Sequence, residues 1–130
     1  MSFRRLVYVS RAVGEKGSDE LPAILRQSQA NNGLNGVSGV LWVGARRYLQ
    51  VLEGTPGGVG EVFGKIACDP RHEQVRIVSD TEQPERQFGG WTMAGLSMGA
   101  GNPVVRERLL RILVELPADV GEEFQVLVAA

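Results

Sequence analysis

The stretch RRYLQVLEGT (residues 46–55) carries a glutamine, Gln50, in the middle of an apolar strand pattern. A primary amide buried in a sheet must find hydrogen-bond partners or cost about 1–3 kcal/mol. Gln50 therefore either faces solvent or is bonded to something in the interior. A second polar group on an apolar strand is Tyr8, within RRLVYVS (4–10), on the face of Leu6 and Ser10, with Val7 and Val9 opposite. A third feature is the pair Asn31 and Asn32, where an apolar helical stripe turns into amides. A phenol can give up an electron and a proton, and a carboxamide offers donors and an acceptor on one rotatable group. Brought together, these residues would line a site for a polar, planar ligand.

The surrounding elements must bring them together. RRLVYVS reads as a first strand, closed by the loop AVGEKGS. SDELPAILRQSQANN has Leu21, Ile24, Leu25 and Ser28 at helical spacing, Asp19 and Glu20 early, and Pro22 in the first turn. GVSGVLWVGARRYLQVLEGT predicts a hairpin, Val40–Val43 and Tyr48–Leu52, turning around Gly44-Ala45. GGVGEVFGKIACDP places Val59, Val62, Phe63 and Ile66 on one helical face, ending near Asp69-Pro70. A strand over 74–80 and another over 86–98, kinked at Gly89-Gly90, follow. Asn102 as N-cap, Pro103 after it and Pro117 as a stop frame a last helix. The tail GEEFQVLVAA reads as strand or helix. The leading elements give βαββαβ, a ferredoxin-like sandwich with strands 1 and 3 central and both helices on one face. Tyr8 and Gln50 then converge beneath the helices if both point to that face.

Length and composition narrow the classes. A chain of 130 residues is expected to form one core, and its net charge of −1 gives no bulk case for nucleic acid or an anionic membrane. One cysteine, Cys68, cannot form an internal disulfide, and no apolar run reaches the roughly 20 residues of a membrane span. MSFRRLVYVS enters a strand directly and lacks a signal-peptide pattern, so the expected location is the cytoplasm.

Five segments, LVYVS, SQANNGLNGVSGVL, YLQVLEG, KIACDPRH and FGGWTM, occur in order between residues 3 and 98. Together they resemble the successive motifs of BLUF domains, blue-light sensors that use flavin. The resemblance implies that Tyr8 is the photochemical electron and proton donor. It implies that Gln50 bridges the Tyr8 hydroxyl and the flavin N5/C4=O edge. Asn32 would bond the C4=O and N3–H region, with Asn31 helping at the same helix end. Ser10, Trp91 and Met93 match the positions nearest the switching glutamine. Ile24, Ser28 and Ile66 would contact the ring system, and Lys65, Asp69, Arg71 and His72 would lie along the ribityl and phosphate side. The implied cofactor is FAD, with FMN or riboflavin as alternatives, because Lys65 stands where an arginine is common and lacks its bidentate fork. The implied function is light-driven electron and proton transfer from Tyr8 to flavin, which rearranges the Tyr–Gln–flavin hydrogen bonds and signals to a partner protein.

Plainer readings stand beside these. Trp91 and Met93 sit two apart on an expected strand, where core packing is the alternative for both. His72 follows DPR and, with no second histidine for a metal site or dyad, reads as a loop or surface residue. Cys68 reads as a half-buried structural thiol and Trp42 as core or interface. GGVGEVFGK fails as a phosphate loop, since Val59 and Ile66 occupy positions that need Gly and Ser/Thr. An acylphosphatase-like hydrolase would need an anion loop after strand 1, but RAVGEKGSDE holds three acids beside Arg11. A light-inactive ferredoxin-like binding or interaction module is the other rival.

The expectation is thus a flavin-binding domain over 3–98 and a helical cap over 99–130, not an enzyme. With about 30 residues after the core, no output domain is expected. The signal would leave through the last strand and the 102–116 helix to a downstream protein, or through a changed homo-oligomer. That helix would cover the outer sheet face and hide Val7, Val9, Leu49 and Val51.

Overall fold

The computed structural model describes residues 2–13 and 21–130. Asp19, Glu20 and most of the acidic loop weighed above lie outside the described residues, as do the side chains of Leu21, Pro22 and Leu25. The elements run β1 (Phe3–Ala12), α1 (Leu21–Asn35), β2 (Ser38–Gly44), β3 (Arg47–Gly54), α2 (Pro56–Ala67), β4 (His72–Gln83), β5 (Ala94–Ser97), α3 (Pro103–Leu113) and α4 (Ala118–Ala129). They form a five-stranded sheet in the order β4-β1-β3-β2-β5, a ferredoxin-like βαββαβ core with one added strand. Neighbours pair antiparallel except β2 and β5, which are parallel. The central position of β1 and β3 explains their nearly continuous burial, because both sheet faces are covered there.

Alternate residues of the central strands feed two cores. Leu6, Tyr8, Leu41, Tyr48 and Leu52 pack with Val59 and Val62 of α2. Val7, Val9, Leu49 and Val51 pack on the opposite face against Val105, Leu109, Ile112 and Leu113 of α3 and Phe124 and Val128 of α4. The outer face is therefore covered as the sequence predicts. Trp42 is a core residue, fully buried with its ring edge-to-face to Phe124 at 5.7 Å.

Local chemistry sets the element ends. Thr55 caps α2 by accepting from Gly58 N, with Pro56 opening the helix. Asn102 caps α3 by accepting from Val104 N and Val105 N. Gly39 is required on β2, since a Cβ there would lie 1.9 Å from the Val51 carbonyl oxygen.

Several expectations are corrected. The hairpin turns on Ala45 and Arg46, both at positive φ (52° and 60°), rather than on Gly44-Ala45. Of the two forms open to the tail the helix is the one found, and α3 ends at Leu113, short of the Pro117 stop. Cys68 is exposed, and His72 opens β4 half-buried rather than lying in a surface loop.

The expected strand over 86–98 shrinks to Ala94–Ser97. The preceding residues form turns, because the Glu53 carboxylate captures the backbone N–H groups of Gln87 (2.9 Å) and Phe88 (2.8 Å), and Trp91 N bonds back to Phe88 O.

Glu53 is 1% exposed and also accepts from Arg5 Nε at 3.1 Å. Removing its carboxylate leaves a buried guanidinium and two amides without their partner. Glu53→Ala is expected to cost about 3–5 kcal/mol in urea unfolding. An unchanged urea midpoint would show that the carboxylate does not hold the turn at 87–88.

Candidate functional site

The β1–β3 register puts Tyr8 directly opposite Gln50. Both point to the α1/α2 face, and they are 3% and 2% exposed. The Tyr8 hydroxyl donates to Gln50 Oε1 at 2.5 Å. The other end of the amide, Nε2, donates to Met93 Sδ at 3.3 Å. That settles how a glutamine lives inside this sheet: both ends of its amide are engaged, one by a weak sulfur acceptor. Burial above all, with Asp69 and Tyr48 adding to it, pushes the Tyr8 hydroxyl far above its ordinary pKa. The phenol thus stays protonated at neutral pH and acts as the donor. Its ring meets Phe63 and His72 edge-on at 5.6 and 6.0 Å.

A cleft opens beside this pair, between the sheet and the two helices that cover it. Its strand wall is Tyr8, Leu41, Tyr48 and Gln50. From α1 come Ile24, Gln27, Ser28 and Asn31, which recur at helical spacing. Lys65 and Ile66 of α2 and the following Asp69, Arg71 and His72 complete it. Gln27, Leu41 and Tyr48 are additions to the sequence reading. Each had a signal: Gln27 falls three residues after Ile24, Tyr48 is two from Gln50, and Leu41 is the β2 partner of Gln50.

Asn32 follows the cleft residue Asn31 toward the end of α1. It is fully buried, gives Nδ2 to Thr92 O at 2.7 Å, and keeps Oδ1 without a hydrogen-bond partner. An orphaned buried acceptor is costly and suits an N–H donor arriving with a ligand.

Ser10 pairs with Tyr48, two residues along the same register from the Tyr8–Gln50 pair. Its hydroxyl lies 2.8 Å from His72 Nδ1, while His72 Nε2 is 2.7 Å from Ile66 O. A carbonyl only accepts, so in the neutral ring Nε2 carries the proton and Nδ1 accepts from Ser10. His72 thus ties β1 to α2 at the cleft wall.

Trp91 and Met93 were expected on one strand face, but the turn that replaces the strand separates them. Met93 is 2% exposed in the cleft-side core, and Trp91 packs half-buried against the opposite, α3/α4 core.

At the cleft's far end, Arg71 Nε binds both Asp69 carboxylate oxygens at 3.0 Å, and Nη2 reaches Gln27 Oε1 at 2.5 Å. The Arg71 hydrogen bonds, against some opposing burial, hold the Asp69 carboxyl below its usual range. No group of ligands for a metal ion occurs among the described residues.

Known proteins resemble this chain in sequence and fold. The family model described as BLUF, sensors of blue-light using FAD, matches residues 3–94. The photoactivated adenylate cyclase subunit beta of Euglena gracilis is 33% identical over 94 residues, which cover 71% of this chain but 11% of that protein. A structure titled "BlsA photo-activated state" superposes with a TM-score of 0.72 at 26% identity, covering 100% of this chain and 96% of that one. Klebsiella pneumoniae BlrP1, titled as bound to FMN and cyclic diGMP, gives a TM-score of 0.70 at 26% identity over 90% of this chain and 31% of that one. With residues 3–94 matched, the chain belongs to the BLUF family of flavin-using blue-light sensors.

Proposed function

We propose that this protein is a light receptor whose switch is the Tyr8–Gln50 pair, with flavin held in the adjoining cleft. The observation that carries this reading is the buried bond from Tyr8 to Gln50 Oε1 at the cleft wall. The residues fit a flavin. An apolar and aromatic wall suits a planar ring, and the orphaned Asn32 Oδ1 suits its imide N–H. When bound, the flavin absorbs blue light and supplies a strong electron acceptor.

Tyr8 is the oxidisable group, buried and within hydrogen-bond reach of the switching amide. While its hydroxyl hydrogen sits on Gln50 Oε1, the amide has one favoured orientation. Once that hydrogen is withdrawn, only the weak Met93 Sδ contact holds the amide, which is then free to turn or change tautomer. Ser28 and Ile24 flank the ring, Ile66 packs beside it, and Asn31 steadies the same edge as Asn32. Lys65 and Arg71 stand on the side where phosphates would lie, which favours a phosphate-bearing flavin, FAD or FMN, over riboflavin, and FAD is the cofactor proposed.

We assign residues 3–98 to flavin binding and 99–130 to the cap. The signal then passes to a downstream protein or a second copy of the chain, and the protein itself performs no enzymatic step. No helix among the described residues is long and apolar enough to cross a membrane, and a cytoplasmic location is proposed.

The visible spectrum in darkness and just after blue light is the direct test. The flavin bands are expected to shift slightly to the red and to relax in the dark. Gln50→Leu and Tyr8→Phe should keep the flavin and lose the shift. A shift that survives in Gln50→Leu would reject the switch assigned here.

Asn32→Ala removes the orphaned acceptor and should weaken flavin binding about tenfold or more, measured by equilibrium dialysis. Unaltered affinity would take Asn32 out of the site.

Asp69, depressed by Arg71, stabilises the cleft's far end while ionised. That contribution is complete above about pH 4 and is lost as pH falls through the lower folded value. Flavin retention should therefore drop in that acidic window, and Asp69→Asn should remove the dependence. A drop of equal size in Asp69→Asn would place the titrating group elsewhere.

A further inference from the structure

The turn between β4 and β5 is gripped from both sides of the sheet. Backbone groups are held by Gly39 N to Trp91 O (3.1 Å), Asn32 Nδ2 to Thr92 O (2.7 Å) and Gln29 Nε2 to Met93 O (3.1 Å). These bonds fix the path of the chain through residues 91–93. On the cap side, Arg108 of α3 donates Nη1 to Gln87 O at 2.7 Å. The same guanidinium lies over the Trp91 ring, 5.7 Å from its centroid. Arg108 therefore grips both the start of the turn and its aromatic side chain.

If Trp91 rather than Met93 stood beside Gln50, the hydrogen bonding of the amide would change. An indole N–H is a donor only, whereas Met93 Sδ accepts. An indole beside Gln50 could not receive from Nε2 and could only add a second donor at Oε1, which already accepts from Tyr8. Holding Trp91 on the cap face thus leaves the Met93 sulfur as the acceptor for Gln50 Nε2.

We propose that Arg108 is a positioning residue for the light reaction. It keeps Trp91 on the α3 side so that Met93 occupies the place beside the Gln50 amide. The proposal rests on the light-sensing reading for its kinetic consequence, but its structural part stands without light.

Arg108→Ala, flavin-loaded, is the test. The chain has two tryptophans, so the indole N–H resonance of Trp91 can be assigned as the one missing in Trp91→Leu. In Arg108→Ala that resonance should move, and in Arg108→Lys, which keeps the cation but not the fork, it should move less. Freed Trp91 weakens the dark arrangement, so recovery after blue light should slow about two- to fivefold, the scale of one partly exposed cation–π contact. In a Trp91→Leu background, Arg108→Ala should add nothing to the recovery time.

An unmoved indole resonance would overturn the proposal. So would slowing that persists in full without Trp91, since Arg108 would then act through cap packing alone. A wild-type protein that never responds to light would reject the sensing reading, and the indole resonance would still decide whether Arg108 holds Trp91.

Discussion

The register between β1 and β3 is the constraint on which the rest depends. It sets Tyr8 against Gln50, and their side chains meet in a buried bond. Side chains alternate along a strand, so a slip of one residue would turn Tyr8 to the cap and bring valines into the cleft. The two cores prevent that slip. Leu6 and Leu52 belong beneath α2, and Val7, Val9, Leu49 and Val51 belong beneath α3 and α4. A photochemical pair is thus positioned by apolar packing on both sides of the sheet, not by a local polar motif.

The site itself is organised by hydrogen bonds whose strengths differ for a reason. Tyr8 is held neutral by burial, so its bond to Gln50 does not titrate at neutral pH. The opposite end of the same amide meets only a thioether, a weak acceptor. An amide held firmly at one end and loosely at the other is suited to reorient once the firm end is released. The ionic contact lies further out, in Asp69 with Arg71, from where the Asp69 charge adds to burial in keeping the Tyr8 hydroxyl protonated.

The segment joining β4 to β5 belongs to both cores. Glu53 pins its start, Met93 enters the cleft-side core, and Trp91 packs against the helical cap. Arg106 fastens α3 to the end of β5 by donating to Ser97 O at 2.8 Å. Movement at Met93 therefore cannot occur without strain on residues that touch α3, because close-packed interiors transmit displacement.

Much of this was legible in the sequence. Alternation in RRLVYVS assigned Tyr8 and Val7 to opposite faces, and the order of elements implied a ferredoxin-like sheet with the first and third strands adjacent. Helical spacing carried Ile24, Ser28 and Asn31 to one side, and Asn102 with Pro103 marked the start of α3. These are local features, governed by backbone periodicity and capping. What needed the tertiary structure depends on groups far apart in the chain. A carboxylate at Glu53 broke the strand expected over 86–98, sending Trp91 and Met93 to different faces. Ser10 turned to His72 because α2 brings the Ile66 carbonyl there to orient the ring. Asn32 was drawn to the Thr92 carbonyl, leaving its own oxygen unpaired. Periodicity placed the side chains on faces, but only long-range packing chose their partners.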